Sequence, residues 1–251
     1  MNDSSPHTRL PRTGILVLIA VVLLIGSGAL KVWWPYHREQ REIAEIDKMG
    51  GVSETALVRP LWIPDWVDDA YLGVFARVSA IDLSNTRVSD AGLEHLRGLT
   101  NLRRLDLENT QVTDAGLEHI DGLTNLVVLY LSNTEVGNAG LEHLRGLTKL
   151  ESLSLDGTQV KDAGLRHLQG LTNIEILYLH NTKISGTGLE HLRGLTKLQE
   201  LSLYNTQISG VGLEHLRGLT KLRLLLIMSN TQITPWGFVK LRLAVPNCEI
   251  L

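Results

Sequence analysis

Residues Leu102 to Leu123 read LRRLDLENTQVTDAGLEHIDGL, and variants of this stretch recur every 24 residues. The heptapeptide GLEHLRG begins at Gly92, Gly140, Gly188 and Gly212. The same period separates a column of threonines, namely Thr86, Thr110, Thr134, Thr158, Thr182 and Thr206, with Thr231 one residue late. A short and regular period of this kind predicts a solenoid in which each repeat stacks on the next.

A single repeat contains the signals for one strand and one short helix. Leu105 and Leu107 alternate with charged residues, which is the period-two pattern of a half-buried strand. We expect Asp114 to cap a helix of about two turns over Ala115 to Ile120, because its carboxylate can accept from free backbone amides. Gly122 then stands where a glycine commonly ends a helix in the left-handed conformation.

The pattern LxxLxLxxT followed by a short helix resembles the leucine-rich-repeat family over residues 77–251. The VTDAGL and ISGTGL segments look most like its cysteine-containing branch, and the GLTNL and GLTKL segments resemble bacterial members. Threonine stands where that family usually has asparagine or cysteine. The resemblance implies an α/β fold, a right-handed solenoid with a concave parallel sheet and short convex helices.

Other residues that recur at the same 24-residue period have structural explanations. We expect the threonine hydroxyls to bond to the turn backbone, and the asparagine before each threonine, Asn230 included, to adopt a left-handed turn. The glycines that begin each helix would permit close packing. A row of histidines, at 95, 119, 143, 167, 191 and 215, could suggest a metal ladder. Spacing on separate helices argues against shared metal bonds of about 2.1 Å, so we expect solvated helix residues and no metal.

The ends of the array depart from the repeat. Leu222 to Thr231 carries one extra residue, which predicts a bulge, and strand Leu224 to Met228 is apolar on both faces. Pro235 and Trp236 replace the usual helix start, and Pro246 to Leu251 is predicted to be a final edge strand. This end is interpreted as a C-terminal cap.

The N-terminal region predicts a membrane segment. Residues 14–34 include ILVLIAVVLLI and end in paired tryptophans, and at ~1.5 Å per residue such a helix matches a hydrocarbon layer of ~30 Å. A tail of residues 1–13 would precede a single transmembrane helix in the lipid bilayer. A cleaved signal peptide and a buried helix are the alternatives. Basic residues flank the span almost equally, and the short tail favours an extracytoplasmic array.

Residues 35–76 are predicted to join the membrane segment to the array. Arg38 to Met49 should form a helix, with Ile43, Ile46 and Met49 on one face, lying on the membrane or against the array. Trp62 to Phe75 is interpreted as an N-terminal cap, because terminal repeats expose an apolar edge. A tryptophan-lined docking site is the alternative.

Several classes of function are disfavoured. A net charge of -3 provides no basic field for nucleic acid, and one cysteine, Cys248, makes no disulfide framework. The sequence lacks a glycine-rich phosphate loop, HExxH and GxSxG. The threonines have no base at fixed spacing. We therefore expect no enzymatic activity and no cofactor.

Variable positions on the concave face are the candidate binding residues, because the scaffold does not dictate them. Tyrosine is common at interface hot spots, and carboxylates would set charge preference. The candidates are Asp106, Glu108, Tyr130, Asp156, Tyr178, His180 and Tyr204. The predicted function is a membrane-anchored module that binds a protein or peptide on this face. The alternatives are a face without a specific partner, and an architectural or self-associating envelope protein.

Overall fold

The structure, a computed structural model, describes residues 36–58, 76–229, 233–245 and 248–251. Residues 41–56 and 77–251 form one compact unit that contains the repeats. Of a second unit, only 36–40, 57, 58 and 76 are described. Within the described ranges no helix has both the length and the apolar character needed to cross a membrane. The predicted membrane span at 14–34 and the predicted cap at Trp62 to Phe75 lie outside them.

In the described residues the strands form one sheet of nine strands in chain order. From β2 to β8 the strands are parallel, and each residue pairs with the one 24 positions later, so that Asp106, Tyr130 and Ser154 are lateral neighbours. This confirms the predicted parallel sheet. The strands are β1 (Val52–Leu57), β2 (Ala76–Asp82), β3 (Arg104–Asp106), β4 (Val128–Tyr130), β5 (Ser152–Ser154), β6 (Ile176–Tyr178), β7 (Glu200–Ser202), β8 (Leu224–Leu226) and β9 (Glu249–Ile250).

The inward leucines form one continuous core along the stack. Leu105 and Leu107 are fully buried, and the equivalent residues of the neighbouring repeats lie beside them. Each buried leucine contributes roughly 1.5–3 kcal/mol relative to an exposed one. Because every repeat presents the same apolar set to its neighbours, its stability depends on the repeats that flank it.

Threonine and asparagine close each strand by different hydrogen bonds. The hydroxyl of Thr134 donates to the Leu131 carbonyl oxygen at 2.7 Å, and the same bond recurs in the other repeats from Thr86 to Thr206. The asparagines have φ of 50° to 58°, and Gly157 replaces one of them at 65°. Both predictions are confirmed for the repeats of Thr86 to Thr206, while Asn230 and Thr231 lie outside the described residues. The ladder between repeats consists of asparagine amides, such as Asn133 Nδ2 to Asn109 Oδ1 at 3.0 Å.

The helical turn of the second repeat is shorter than predicted. Only Gly116–His119 is helical there, as a 3₁₀ turn, so the prediction of two turns over Ala115 to Ile120 was wrong. A 3₁₀ helix rises ~2.0 Å per residue, whereas an α-helix rises ~1.5 Å. A short 3₁₀ segment can therefore cover the distance back to the sheet. The other turns are α2 (Asp90–Leu93) and α3 (Asp162–Leu165), and the 3₁₀ segments Glu94–Leu96, Gly140–Leu144, Arg166–Leu168, Gly188–Leu192 and Gly212–Gly218.

Gly122 does not adopt the left-handed conformation that was predicted for it. Among the described glycines only Gly50, Gly98 and Gly157 have positive φ. A Cβ on Gly122 would meet no atom within 4 Å. The turn before it closes instead by bonds between residues three apart, including Leu123 N–H to the Ile120 carbonyl oxygen at 3.0 Å.

Asp114, which was predicted to cap the helix of its own repeat, reaches the next repeat instead. Asp114 Oδ1 accepts from the Gly137 amide at 2.6 Å, and the turn that follows Asp114 has no side-chain cap. The capping prediction was therefore wrong. A Cβ on Gly140 would lie 2.5 Å from the same Asp114 oxygen. The glycine column thus leaves room for the carboxylate of the preceding repeat, which confirms the prediction of close packing.

Asp162 shows how strongly this contact is built. Its carboxylate accepts from the Ser185 amide at 2.7 Å and from the hydroxyls of Ser185 and Thr187 at 2.5 Å each. Burial alone would raise the pKa of Asp162, but these hydrogen bonds outweigh burial and lower it. The ionised form is therefore the one that joins the two repeats.

The array is covered at its N-terminal end by helix and strand. Residues 36–48 are helical, as α1, and within the repeat unit Ile46 is fully buried while Ile43 and Met49 pack on the core. Of the two placements left open for this helix, residues 41–49 adopt the one against the array. β1 extends the sheet beyond β2 and was not predicted.

At the C-terminal end the extra residue does not bulge the strand. β8 keeps the 24-residue register with β7, and Ser229 takes the left-handed position at φ 65° that was predicted for Asn230. The insertion therefore falls after Ser229. Helix α4 (Pro235–Ala244) begins after Thr234, whose hydroxyl accepts from the Gly237 amide. β9 pairs with β8 as the predicted edge strand, while Met228 stays 63% exposed.

The histidine column is not uniformly solvated. His95 Nδ1 lies 3.0 Å from Glu42 of α1, and His119 accepts from Arg97 Nε at 2.6 Å. His167 is buried and its Nδ1 has no hydrogen-bond partner, so the solvated prediction was wrong there. Burial, and then the charges of Arg145 and Arg166, lower its pKa. Among the described residues no cluster of three or more metal-ligating side chains is found.

Candidate functional site

The open face of the sheet carries the side chains that alternate with the buried leucines, at equivalent positions of successive strands. Tyr130 on β4, Ser154 on β5 and Tyr178 on β6 are lateral partners in adjacent strands. Strands lie about 4.8 Å apart, so the two tyrosine positions stand about 10 Å apart with a serine between them. A small residue flanked by two large ones leaves a gap, which we call the slot.

The slot is a cavity of about 260 Å³. It brings together five of the seven predicted binding residues: Glu108, Tyr130, Asp156, Tyr178 and His180. Ser132, Asn133 and Ser154 complete its lining. Ser132 and Ser154 are buried, and they form its floor. The site is therefore polar at its base and aromatic at its sides.

A chain of polar groups fixes the floor. Ser132 Oγ lies 2.7 Å from Ser154 Oγ, and Ser154 donates to Asp156 Oδ2 at 3.0 Å. Because a serine has one hydroxyl proton, Ser132 must be the donor to Ser154. Asp156 Oδ1 accepts from the His180 backbone amide, and lies 2.8 Å from His180 Nδ1. The four side chains form one connected network across β5 and the turns that follow β4, β5 and β6.

Asp156 is the electrostatic centre of this network. It is 6% exposed, and burial raises its pKa, with the charge of Glu108 adding to the effect. The charge of His180, its amide and the Ser154 hydroxyl act in the opposite direction without cancelling burial. Asp156 thus holds the turn in place through three hydrogen-bonding groups, and little of it is left for a ligand.

Glu108 is the carboxylate of the slot that has no cation beside it. Within the described part of the chain its side chain contacts only the Asn109 amide, at 3.4 Å. It is half-buried at the edge of the slot. Its charge adds to the effect of burial in raising the pKa of Asp156. Glu108 is consequently the acidic group most available to a ligand.

The two tyrosines are held by neighbours outside the slot. The guanidinium of Arg104 lies over the Tyr130 ring, 4.9 Å from its centroid. The Tyr178 hydroxyl donates to Glu200 Oε2 at 3.0 Å. Burial, and then this hydrogen bond, raise the pKa of Tyr178 to about 12. Both rings are therefore positioned before any ligand arrives, which lowers the entropic cost of binding.

The structure does not bring two of the predicted residues into the slot. Asp106 is 8% exposed and already engaged, with Arg104 Nη2 at 3.3 Å and the Glu108 amide at 3.2 Å. Tyr204 lies further along the same face and is 43% exposed. Asp106 is the lateral partner of Tyr130, and Tyr204 stands one repeat beyond His180, so both residues border the slot without lining it.

The floor residues Ser132 and Ser154 were not among the predicted site residues. Their signal was present in the outward columns, where a small residue stands between Tyr130 and Tyr178 at the repeat period. Serine and histidine beside aspartate could also suggest hydrolytic chemistry. The serine hydroxyls, however, bond to each other and to Asp156 rather than to His180, so no base addresses them.

A second cavity, of about 290 Å³, lies on the helix side of the repeats. Arg97 contacts both Glu118 at 2.9 Å and His119 at 2.6 Å in this cavity, and Asp121 also lines it. The slot differs because two tyrosine side chains stand at its sides, whereas among the described residues no aromatic side chain other than His119 lines the second cavity. We therefore take the slot as the candidate site.

Comparison with known proteins identifies relatives of this architecture. A family model described as "Leucine rich repeat" matches residues 76–136, 100–160 and 172–231, more than half of the chain. Internalin C2 of Listeria monocytogenes is similar at 25% identity and a TM-score of 0.51, covering 74% of this chain and 84% of its own.

A leucine-rich-repeat protein of Leptospira interrogans is similar at 25% identity and a TM-score of 0.55. The match covers 62% of this chain but only 38% of the Leptospira protein. A search of curated protein sequences gives no significant match.

Proposed function

Because the chain belongs to the leucine-rich-repeat family, we propose that it is a non-enzymatic binding module that captures a protein or peptide on the open face of its sheet. In a solenoid whose strands are ~4.8 Å apart and whose helical side is wider, this face is the concave one. A partner would cross several strands and read a different side chain from each repeat.

The slot is the observation that carries this proposal. Tyr130 and Tyr178 are pre-positioned aromatic side chains, and such residues dominate binding energy when they line a pocket at an interface. Between them the small Ser154 leaves a depression into which a partner side chain can insert. The polar network beneath is satisfied internally, so that binding does not require its rearrangement.

Photo-crosslinking tests the use of this face. A benzophenone amino acid at Tyr204 places the probe on the open face outside the slot, and the same probe at Val211, 77% exposed, samples the helix side. We expect a crosslinked partner from position 204 and not from 211. The double substitution Tyr130→Ala and Tyr178→Ala should abolish the product from position 204. Products from 211 alone would reject the proposal.

We further propose that residues 14–34 anchor the protein in a membrane as a single-pass helix, with the array on the extracytoplasmic side. The support is the apolar run with its paired tryptophans. Resistance to alkaline carbonate extraction tests the anchor. Replacing Leu18 and Val22 by lysine should release the protein, whereas extraction of the unaltered chain would contradict an anchor.

Labelling of a single thiol tests the orientation. Burial, and then the charge of Glu249, raise the pKa of Cys248 to about 11, so this thiol reacts slowly with maleimides near neutral pH. Val211→Cys in a Cys248→Ala background introduces an exposed thiol. We expect a membrane-impermeant maleimide to label it on intact cells. Labelling only after lysis would place the array on the inner side.

A second candidate function is self-association, and one observation favours it. Trp236, Val239 and Leu243 on α4 are 68%, 48% and 79% exposed, which is unusual for a helix surface. Light scattering with size exclusion would detect an assembly. If self-association is the function, Trp236→Ser with Leu243→Ser dissociates it and leaves the products at position 204 unchanged.

A further inference from the structure

The slot has dimensions suited to one flat group between two rings. A planar group stacked at about 3.5 Å from each ring needs about 7 Å, and the tyrosine positions are about 10 Å apart. A cation midway would stand about 5 Å from each column, within the ~6 Å range of cation–π attraction. A third aromatic ring would also fit, so charge must decide between the two.

The charges around the slot favour a cation. Glu108 has no cationic partner among the described residues, and Asp156 lies beneath it. The outward columns of the open face contain the acids Asp82, Asp106, Glu108, Asp156 and Glu200, against Arg104 and His180. Because Arg104 is taken by Asp106, a cationic ligand would meet unpaired acid and an anionic ligand would meet repulsion.

The protein already binds a guanidinium at this aromatic wall. Arg104 lies over Tyr130 from β3, the strand before it, while the slot extends from Tyr130 towards β5 and β6. A guanidinium also suits the acid at the edge, because its planar fork of N–H groups can donate to a carboxylate while its face stacks on a ring.

We propose that the slot receives an arginine side chain of the partner, with its guanidinium between Tyr130 and Tyr178 and its N–H groups directed to Glu108. This inference rests on the proposed function and identifies the chemistry of the bound segment. The partner is thus a polypeptide that presents an exposed arginine.

N-acetyl-arginine methylamide is the probe, and the citrulline analogue, which is neutral and almost the same shape, is its control. The full chain in a non-ionic detergent is labelled at its tyrosines, and the ring signals are assigned by single Tyr→Phe substitutions. We expect the signals of Tyr130 and Tyr178 to shift saturably with the arginine probe, in the millimolar range. The citrulline probe should bind at least about tenfold more weakly.

Two variants, each with a matched control variant, locate the interaction. Glu108→Gln should weaken arginine binding about tenfold, whereas the matched change Glu135→Gln, on an exposed turn outside the slot, should leave it unchanged. Tyr178→Leu should remove the response and Tyr204→Leu should retain it.

Equal binding of the two probes, an unaltered affinity in Glu108→Gln, or no saturable shift up to about 50 mM would each overturn the assignment. This failure is distinct from failure of the proposed function. If crosslinks at position 204 persist and still depend on Tyr130 and Tyr178, the open face binds a partner without an arginine in the slot. If those crosslinks are absent, the binding proposal fails whatever the probes do.

Discussion

Gly140→Ala tests the contact that sets the spacing of the repeats. A Cβ at this position would lie 2.5 Å from Asp114 Oδ1, 3.0 Å from Leu117 Cδ1 and 3.1 Å from Asp114 Cα. The carboxylate cannot move aside without losing its 2.6 Å hydrogen bond from the Gly137 amide. Since the third contact is to a backbone atom, the two repeats must also separate slightly.

The expected cost follows from these contacts. Loss of a hydrogen bond to a charged group costs about 1.5–3 kcal/mol, and overpacking adds about 1–3 kcal/mol. The better helix propensity of alanine offsets about 1 kcal/mol. The net loss in the free energy of unfolding is therefore about 1.5–5 kcal/mol. With an m value near 2 kcal/mol per molar, the urea midpoint should fall by about 0.75–2.5 M.

Gly170→Ala is the matched control, because a Cβ there meets nothing within 4 Å and the backbone is not left-handed. In urea unfolding followed by far-ultraviolet circular dichroism, its free energy of unfolding should differ from that of the unaltered protein by less than about 0.5 kcal/mol. In an Asp114→Ala background the penalty of Gly140→Ala should shrink, since the closest obstacle is gone. Equal shifts for Gly140→Ala and Gly170→Ala would refute this account of the glycine column.

Three other outcomes are expected in the same denaturation assay. Thr134→Val removes the hydroxyl that donates to Leu131 and should cost about 1–2 kcal/mol, against almost nothing for the exposed Thr124→Val; equal costs would contradict a role for the hydroxyl. Burial and nearby arginines lower the folded-state pKa of His167. Because only the unfolded chain takes up the proton just below about pH 6.5, the free energy of unfolding should decrease as the pH falls below about 6.5. The substitution His167→Leu should reduce this decrease. Ser229→Gly relieves a left-handed residue and should add about 0.5–1 kcal/mol, whereas destabilisation would argue against that conformation.

The repeated pattern was sufficient to predict the fold because its signals are local. Leu105 and Leu107 had to face one side of a strand, and an asparagine followed by threonine had to end it. The 24-residue period then fixed which residues are lateral neighbours. Tyr130, Ser154 and Tyr178 could be placed on one face by counting alone.

Contacts between repeats could not be read in the same way. The sequence predicted Asp114 as a helix cap because aspartate commonly caps a helix at that position. In the structure its carboxylate instead accepts a hydrogen bond from the Gly137 amide of the next repeat. Asp106 looked available on the open face, but Arg104 and the turn backbone engage it. His167 resembles its half-buried counterparts in sequence, but the folded repeats bury it.

The sequence by itself determined the parallel stack, the buried leucines and the set of outward columns, because periodicity acts through the covalent chain and the hydrophobic effect. Only the tertiary structure decided which polar groups form hydrogen bonds between repeats and which carboxylate has no cationic partner among the described residues. Glu108 differs from Asp106 and Asp156 in its surroundings and not in its chemistry. Asp106 and Asp156 are engaged by Arg104 and His180, whereas among the described residues Glu108 accepts only the 3.4 Å bond from Asn109, and these distances across the stacked strands are the reason we propose Glu108 as the group that meets a ligand.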